Sequence, residues 1–305
     1  MNVENKVYDA LSWYKFLEVT SKEKVYPPKK IDLFNRLLGH TDNFFIIAAI
    51  GAFVPGYVMI VSKKMIPSFA LIEDNQLDEL NWLIENVSNT IKNAYDKEIV
   101  IFEHGMCACI GGLDRAHLHI MPINKKTNNK TITESINNVL QKRRSGISSV
   151  EVDNYKFENI HDITEIMNGS KENSYKINGK QYTFSDIQNL DINNWPISAR
   201  PLVAKGGHYV YFKNSSLSSS FLSDKNFQTQ LGREIVFEIE KKINPIIQEM
   251  TNKILKKNNF ANIWKWQEFA FKDNIYKTMD DLIVPLLNLK LSNGNFNFEV
   301  MVKKD

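Results

Sequence analysis

The strongest constraint on the fold of this 305-residue chain is an alternating segment at residues 115–121, which reads Arg-Ala-His-Leu-His-Ile-Met. Alternation of polar and apolar residues with a period of two predicts a β-strand, in which residues i and i+2 point to the same face. Arg115, His117 and His119 are therefore expected on one face of a sheet. The apolar side chains between them are expected in the core.

The same segment points to phosphate chemistry. Three glycines, Gly105, Gly111 and Gly112, lie just upstream, and glycine lets backbone N–H groups approach a ligand closely. Arginine neutralises phosphate charge, and histidine can attack phosphorus or donate a proton. Glu103 and His104 also precede the strand. As neighbours on a strand they point to opposite faces, so at most one of them readily faces a ligand.

Periodicity around this segment predicts an α+β unit over about residues 30–125. Its expected elements are paired strands at 43–49 and 57–63 around Pro55-Gly56, a helix at 74–97 with Asp74 as its N-cap, and strands at 98–103 and 115–123. We accordingly assign residues 1–125 to this unit.

Beyond this unit the sequence is more polar and its periodicity is mostly helical, so residues 126–305 are predicted to form an extension packed on the first unit. The expected elements are a loop at 124–130, a helix at 131–143, an Asn-Gly hairpin within 175–183, a loop at 214–220, and helices at 224–241, 244–257 and 273–288.

Composition argues against several classes of protein. The 38 Lys and Arg residues exceed the 35 Asp and Glu residues by a formal charge of +3, too little to favour extended contact with nucleic acid. The start lacks the plan of a signal peptide, and no run of 18 apolar residues predicts a membrane span. The only two cysteines, Cys107 and Cys109, are poorly spaced for a disulfide, which favours a reducing cytoplasm.

With these residues in view, the chain resembles the histidine triad (HIT) superfamily of nucleotidyl hydrolases and transferases. The family signature is three histidines alternating with apolar residues, and here Arg115 replaces the first of them. Segments 44–47 and 54–61 resemble the family's strand, Pro-Gly-His turn and strand. Residues 63–68 stand where many members have Lys-Lys-His-Ile, with Met65 in place of histidine. The resemblance implies a HIT-like antiparallel sheet with one long helix.

The resemblance also implies residue roles. His117 would attack an α-phosphate and form a covalent nucleotidyl-histidine, oriented by the backbone carbonyl at position 115. His119 would contact the phosphate and assist the leaving group, and a histidine there, rather than glutamine, favours hydrolysis. No metal or cofactor is required. The candidate substrate-binding residues are Arg115, Glu103, His104, Gly105, Gly111, Gly112, Phe44, Gln230 and Arg233.

Several alternatives stay open. The chain could be a nucleotidyltransferase or phosphorylase on the same fold, or a catalytically weak nucleotide-binding or interaction protein. Action on a nucleic-acid end is less favoured because the net charge is small. Cys107 and Cys109 together with the two histidines raise a zinc site, although Cys-x-Cys departs from the usual ligand spacing. A homodimer is also open.

Overall fold

The computed structural model describes residues 36–64, 66–106, 109–110, 113–143, 176–183, 185–186, 191–214, 219–222, 231–254, 271–292 and 296–300. Its strands are β1 Leu37–His40, β2 Phe44–Ala48, β3 Val58–Ser62, β4 Glu98–Gly105, β5 Cys109–Ile110, β6 Leu113–Asp114, β7 His117–Ile123, β8 Tyr209–Asn214, β9 Ser219–Leu222 and β10 Glu299–Val300. Its α-helices are α1 Leu77–Tyr95, α2 Asn129–Arg143, α3 Arg200–Ala204, α4 Leu231–Lys241, α5 Pro245–Ile254 and α6 Lys272–Ser292.

Eight of these strands form one antiparallel sheet in the order β10-β1-β2-β3-β7-β4-β8-β9. Strands β5 and β6 form a separate two-stranded ribbon between β4 and β7. The histidine-bearing strand β7 lies at the centre of the sheet, between β3 and β4. The chain therefore has a mixed α+β fold, as its periodicity predicted, with the antiparallel sheet that the resemblance implied.

The elements predicted for the first unit are confirmed with two corrections, the start of the long helix and the start of the last strand, which begins at His117 instead of residue 115. Strands β2 and β3 pair in register from Phe44 with Ser62 to Ala48 with Val58. The long helix α1 begins at Leu77 rather than beside Asp74, because residues 74–76 form a 3₁₀ turn. Glu73 and Gln76 form a capping box at that turn, so the prediction of Asp74 as the N-cap was wrong.

Most of the elements predicted for the second half are present in the described part of the chain. Helices α2, α5 and α6 match the predicted segments closely. Helix α4 corresponds to the end of the helix predicted at 224–241, whose start lies outside the described residues. The Asn178-Gly179 turn is confirmed by positive φ at both residues and a bridge from Ile177 to Lys180. The loop predicted at 214–220 was wrong at both ends, because Asn214 belongs to β8 and Ser219 begins β9, which pairs with β8.

Strands from both sides of residue 125 share the main sheet. Strands β8 and β9 continue it beyond β4, and β10 continues it beyond β1. Strands β1 and β4 are the outer strands of the part of the sheet that precedes residue 125. Both are thus paired within the chain, which leaves neither of them to pair with another copy. The boundary at residue 125 remains a prediction. Among the described residues, no helix combines the length and apolarity needed to cross a membrane.

Candidate functional site

The two faces of the sheet carry different polar groups. In strand register Phe102 pairs with His119 and Val61 pairs with His117, so these side chains share one face, which also holds His104. We call this the histidine face. Helix α4 packs against β4 and β7 on this face. The opposite face, which we call the glutamate face, carries Glu103.

His117 is held by the backbone of its own strand. Its Nδ1 lies 3.0 Å from the carbonyl oxygen of Arg115, the contact that the resemblance implied for a nucleophile. Desolvation lowers the pKa of His117 to about 4, and the nearby Arg233 cation contributes to this shift. The ring is therefore neutral near pH 7. Because a neutral imidazole carries one N–H, a proton donated from Nδ1 to the carbonyl leaves the Nε2 lone pair available.

His119 lies beside His117, with ring centroids 4.8 Å apart. Its ring stacks on Phe102 at 4.3 Å and 16°, and only 6% of the residue is exposed. Burial lowers the pKa of His119 well below its ordinary value. Repulsion from a protonated His117 and from the Arg233 cation acts in the same direction. Two neutral imidazoles of different exposure thus occupy one site, the half-buried His117 and the buried His119.

Tyr57 connects His119 to the C-terminal extension, and it was missed in the sequence. The Tyr57 hydroxyl lies 2.5 Å from Nδ1 of His119, and Nε of Arg233 donates to the same hydroxyl at 2.7 Å. Tyr57 follows the Pro55-Gly56 turn in an apolar segment, where an aromatic residue is expected to be part of the core. Its place directly after the Pro-Gly pair, where the HIT pattern has histidine, was the available signal.

Helix α4 reaches the site at its first turn. The backbone N–H of Gly232 donates to Nε2 of His104 at 3.1 Å, which assigns the proton of a neutral His104 ring to Nδ1. An added Cβ at Gly232 would lie 2.2 Å from Cδ2 of Phe102. Glycine is therefore needed for this close approach between helix and sheet. The helix thus brings Arg233 to the histidine face, where strand alternation already places His104.

Replacing Gly232 by alanine is expected to lower the free energy of unfolding. Alanine in a helix normally gains about 1 kcal/mol over glycine, whereas overpacking a core costs about 1–3 kcal/mol. Phe102 cannot move easily because its neighbours on both sides, His119 and Phe212, also have their rings stacked parallel to it. The net loss is expected to be up to about 2 kcal/mol in urea denaturation.

The matched control is the same substitution in a Phe102→Leu background, where the shorter side chain leaves room for the methyl group. There, Gly232→Ala is expected to cost less than it does beside phenylalanine. A gain of about 1 kcal/mol in the wild-type background, as for an unhindered helix position, would contradict this account of the packing.

Glu103 and Phe44 do not join the histidines. Glu103 is fully buried on the glutamate face, where its oxygens accept from the Phe69 N–H at 2.7 Å, Trp195 Nε1 at 3.2 Å and the Tyr209 hydroxyl at 2.5 Å. Phe44, on the same face, packs against Phe69. The expectation that these two residues contact a ligand beside His117 was wrong, because strand alternation puts them on the other side of the sheet.

Arg115 lies next to the site but is directed elsewhere. Its Nη1 donates to the carbonyl oxygens of Ser62 and Lys63 at the end of β3. It precedes β7, which begins at His117, so the strand alternation that was expected to align it with the histidines does not extend to it. In this arrangement the residue at position 115 supplies its backbone carbonyl to His117, while its guanidinium holds the end of β3.

Of the remaining substrate-binding candidates, only Gly105 lies within the part of the chain that the structure describes. Gly105 ends β4, and an added Cβ there would lie 2.0 Å from the Tyr209 ring, so it serves packing on the glutamate face. Gly111, Gly112, Gln230 and Cys107 lie outside the described residues, as does the side chain of Cys109. Within the described part of the chain no group of three or more His, Cys, Asp or Glu residues could hold a metal ion. The zinc alternative, which needs the two cysteines, is left untested.

No family model matches the chain, and no curated protein matches it. Among solved structures, the chain is similar to a Hit-like protein from Bartonella henselae, described as involved in cell-cycle regulation and solved with an unknown ligand. The identity is 17%, the TM-score is 0.28, and the match covers 35% of this chain and 85% of that one. We base no argument about activity on this likeness.

Proposed function

We propose that this protein is a HIT-type nucleotidyl hydrolase that cleaves at the α-phosphate of a nucleotide conjugate. One observation carries the proposal: a neutral His117 whose Nδ1 lies 3.0 Å from the Arg115 carbonyl, beside a second neutral imidazole. A nucleophilic histidine needs an unprotonated nitrogen and a fixed ring, and both follow from that hydrogen bond and from burial.

The proposed reaction has two balanced steps. Nε2 of His117 forms a bond to phosphorus as the bond from phosphorus to the leaving-group oxygen or nitrogen breaks. His119 donates its Nε2 proton to that leaving atom and takes the Tyr57 hydroxyl proton at Nδ1, which leaves a Tyr57 phenolate beside the Arg233 cation. Water then attacks phosphorus and gives a proton to Nε2 of His119, which returns its Nδ1 proton to Tyr57 while the bond from phosphorus to His117 breaks. The products are the leaving group and a nucleoside monophosphate, with both histidines neutral again.

The charges around the site fit a phosphoanhydride or phosphoramidate substrate. The Arg233 cation acts on both histidines, as the lowering of their pKa values indicates, and a phosphate bound between them would lie within the same field. Burial of His119 strengthens such interactions because water screens them less. The proposed reaction uses no metal, which a chelator control tests directly.

The test is product analysis by mass spectrometry on a panel of dinucleoside polyphosphates, nucleoside phosphoramidates, nucleotide sugars and adenylylated nucleic-acid ends. Wild type and His117→Ala are compared on each substrate, with folding checked by circular dichroism. Release of a nucleoside monophosphate by wild type alone supports the proposal and identifies the substrate class. Product that forms only with an added acceptor indicates a transferase or phosphorylase. Silence from folded wild type would indicate a binding protein.

The pH dependence of turnover provides a separate prediction. Because the pKa of His117 is lowered to about 4, its Nε2 stays unprotonated well below neutral pH. The value of kcat/KM is expected to stay level as pH falls to about 5 and then to decrease about tenfold per pH unit below about 4. Circular dichroism at each pH separates this decrease from unfolding. A decrease that begins near the ordinary histidine pKa of about 6.5 would contradict a desolvated nucleophile.

A further inference from the structure

We propose that Arg233 and Tyr57 are positioning residues that fix which ring nitrogen of His119 carries its proton. Helix α4 of the C-terminal extension supplies Arg233, and the turn before β3 supplies Tyr57. The catalytic consequence rests on the proposed function, whereas the proton position itself can be measured without any activity. The extension would thus complete the site instead of only surrounding it.

The geometry is a chain of two short hydrogen bonds. Nε of Arg233 lies 2.7 Å from the Tyr57 hydroxyl, which lies 2.5 Å from Nδ1 of His119. The Arg233 guanidinium also stands over the tyrosine ring, 5.2 Å from its centroid. All three residues are at least nine-tenths buried, so water does not compete freely for these groups. Short bonds in a buried setting hold the proton arrangement more firmly than exposed ones.

The direction of donation follows from the arginine. A guanidinium is always a donor, so the Tyr57 oxygen accepts from Arg233 and its own proton is available for His119. Burial raises the pKa of Tyr57 to about 12, which keeps the hydroxyl protonated. Nδ1 of His119 then accepts, and a neutral His119 carries its proton on Nε2. The neighbouring His117 donates from Nδ1 instead, so the two imidazoles have opposite tautomers.

Opposite tautomers suit the two roles in the proposed reaction. His117 presents a lone pair on Nε2, which an attacking group needs, while His119 presents an N–H on Nε2, which a proton donor needs. In this account the Arg233 cation does not have to contact the substrate. It acts by donating to one lone pair of the tyrosine oxygen, which leaves the hydroxyl proton directed at Nδ1 of His119.

The extension also holds the turn that carries Tyr57. The side-chain amide of Asn274, on α6, donates to the carbonyl oxygen of Ala52 at 2.8 Å. The backbone N–H of Gly56 donates to the hydroxyl of Thr278, on the same helix, at 2.8 Å. Helix α6 thus fixes the backbone before Tyr57 while α4 fixes its hydroxyl. These contacts join segments more than two hundred residues apart, which is why no local sequence pattern predicted them.

The experiment measures histidine side-chain ¹⁵N resonances of the full chain by NMR, since protonated and unprotonated ring nitrogens resonate far apart. In wild type, His119 is expected to be unprotonated at Nδ1 and protonated at Nε2. Tyr57→Phe removes the donor, and His119 is expected to become a mixture of tautomers. Arg233→Met is expected to weaken the preference, and Arg233→Lys, which keeps a charged donor, to retain more of it. Tyr182→Phe, away from the site, controls for losing a phenol hydroxyl.

Two results would overturn the inference. One is a wild-type His119 protonated at Nδ1, and this needs no variant to fold. The other is an unchanged His119 tautomer in folded Tyr57→Phe. If the NMR result is as expected but wild type turns over nothing, the proposed function fails while this inference stands.

If turnover is found, Tyr57→Phe should lower kcat about tenfold to a hundredfold with little change in KM. The loss should shrink for substrates whose leaving group needs no protonation. A change in KM alone would overturn the positioning role and indicate direct binding of substrate.

Discussion

His117→Ala is expected to lower turnover by about 10⁴-fold or more, because the proposed reaction cannot form its covalent intermediate without that imidazole. The remaining groups would still bind substrate and stabilise charge, which accounts for a small residual rate. The substitution removes the imidazole and its hydrogen bond to the Arg115 carbonyl but leaves the strand backbone and the neighbouring His119 in place. The loss should therefore fall on kcat, with KM changed much less.

The measurement pairs rates with trapping of the intermediate. Wild type mixed with substrate and quenched with acid-free denaturant should gain the mass of one nucleoside monophosphoryl group, located on the peptide that contains His117. His208→Ala, which removes a half-buried histidine outside the site, is the matched control and should behave as wild type. Equal turnover by wild type and His117→Ala would exclude a covalent mechanism at this residue.

The second large effect concerns stability. Wild type is expected to lose about 3 kcal/mol of its free energy of unfolding, relative to Glu103→Gln, between about pH 5 and about pH 8. Burial raises the pKa of Glu103 from 4.5 to about 7. Its hydrogen-bond donors, the Phe69 N–H, Trp195 Nε1–H and the hydroxyls of Tyr209 and Ser68, are neutral and offset desolvation only in part. Each pKa unit corresponds to about 1.4 kcal/mol.

The sign follows from proton binding in the two states. Between 4.5 and about 7 the folded protein keeps the Glu103 proton that the unfolded chain has lost, so unfolding becomes easier as pH rises. His117 acts in the opposite direction, because its pKa is lowered to about 4 and the unfolded chain binds the extra proton. Comparison with Glu103→Gln cancels that contribution, since both proteins keep the histidine.

Urea denaturation at several pH values measures this difference. Glu85→Gln, at an exposed helix position, controls for the loss of one negative charge. Parallel curves for wild type and Glu103→Gln over this pH range would show that Glu103 is charged throughout in the folded protein. That result would contradict the account of its burial among neutral donors.

Local sequence pattern was sufficient to predict the features that depend on a single strand or helix. The period-two alternation predicted that His117 and His119 share a face, and helical spacing predicted the long helix α1. The same alternation predicted that Glu103 and His104 point to opposite faces. Where the pattern left a choice between those two residues, the sequence could not say which one joined the histidines. The register of β4 against β7, which pairs Phe102 with His119, made that choice, and α4 then packs on the face that holds His104.

What the sequence determined by itself is the pair of imidazoles: alternation with a period of two holds for any strand, so their common face does not depend on the rest of the fold. Tertiary structure alone decided their chemical surroundings. Arg233 meets Tyr57 across 176 positions of sequence, and Glu103 meets Tyr209 across 106. Such contacts depend on strand register and helix docking, which are set by packing over the whole core, and no local pattern records them.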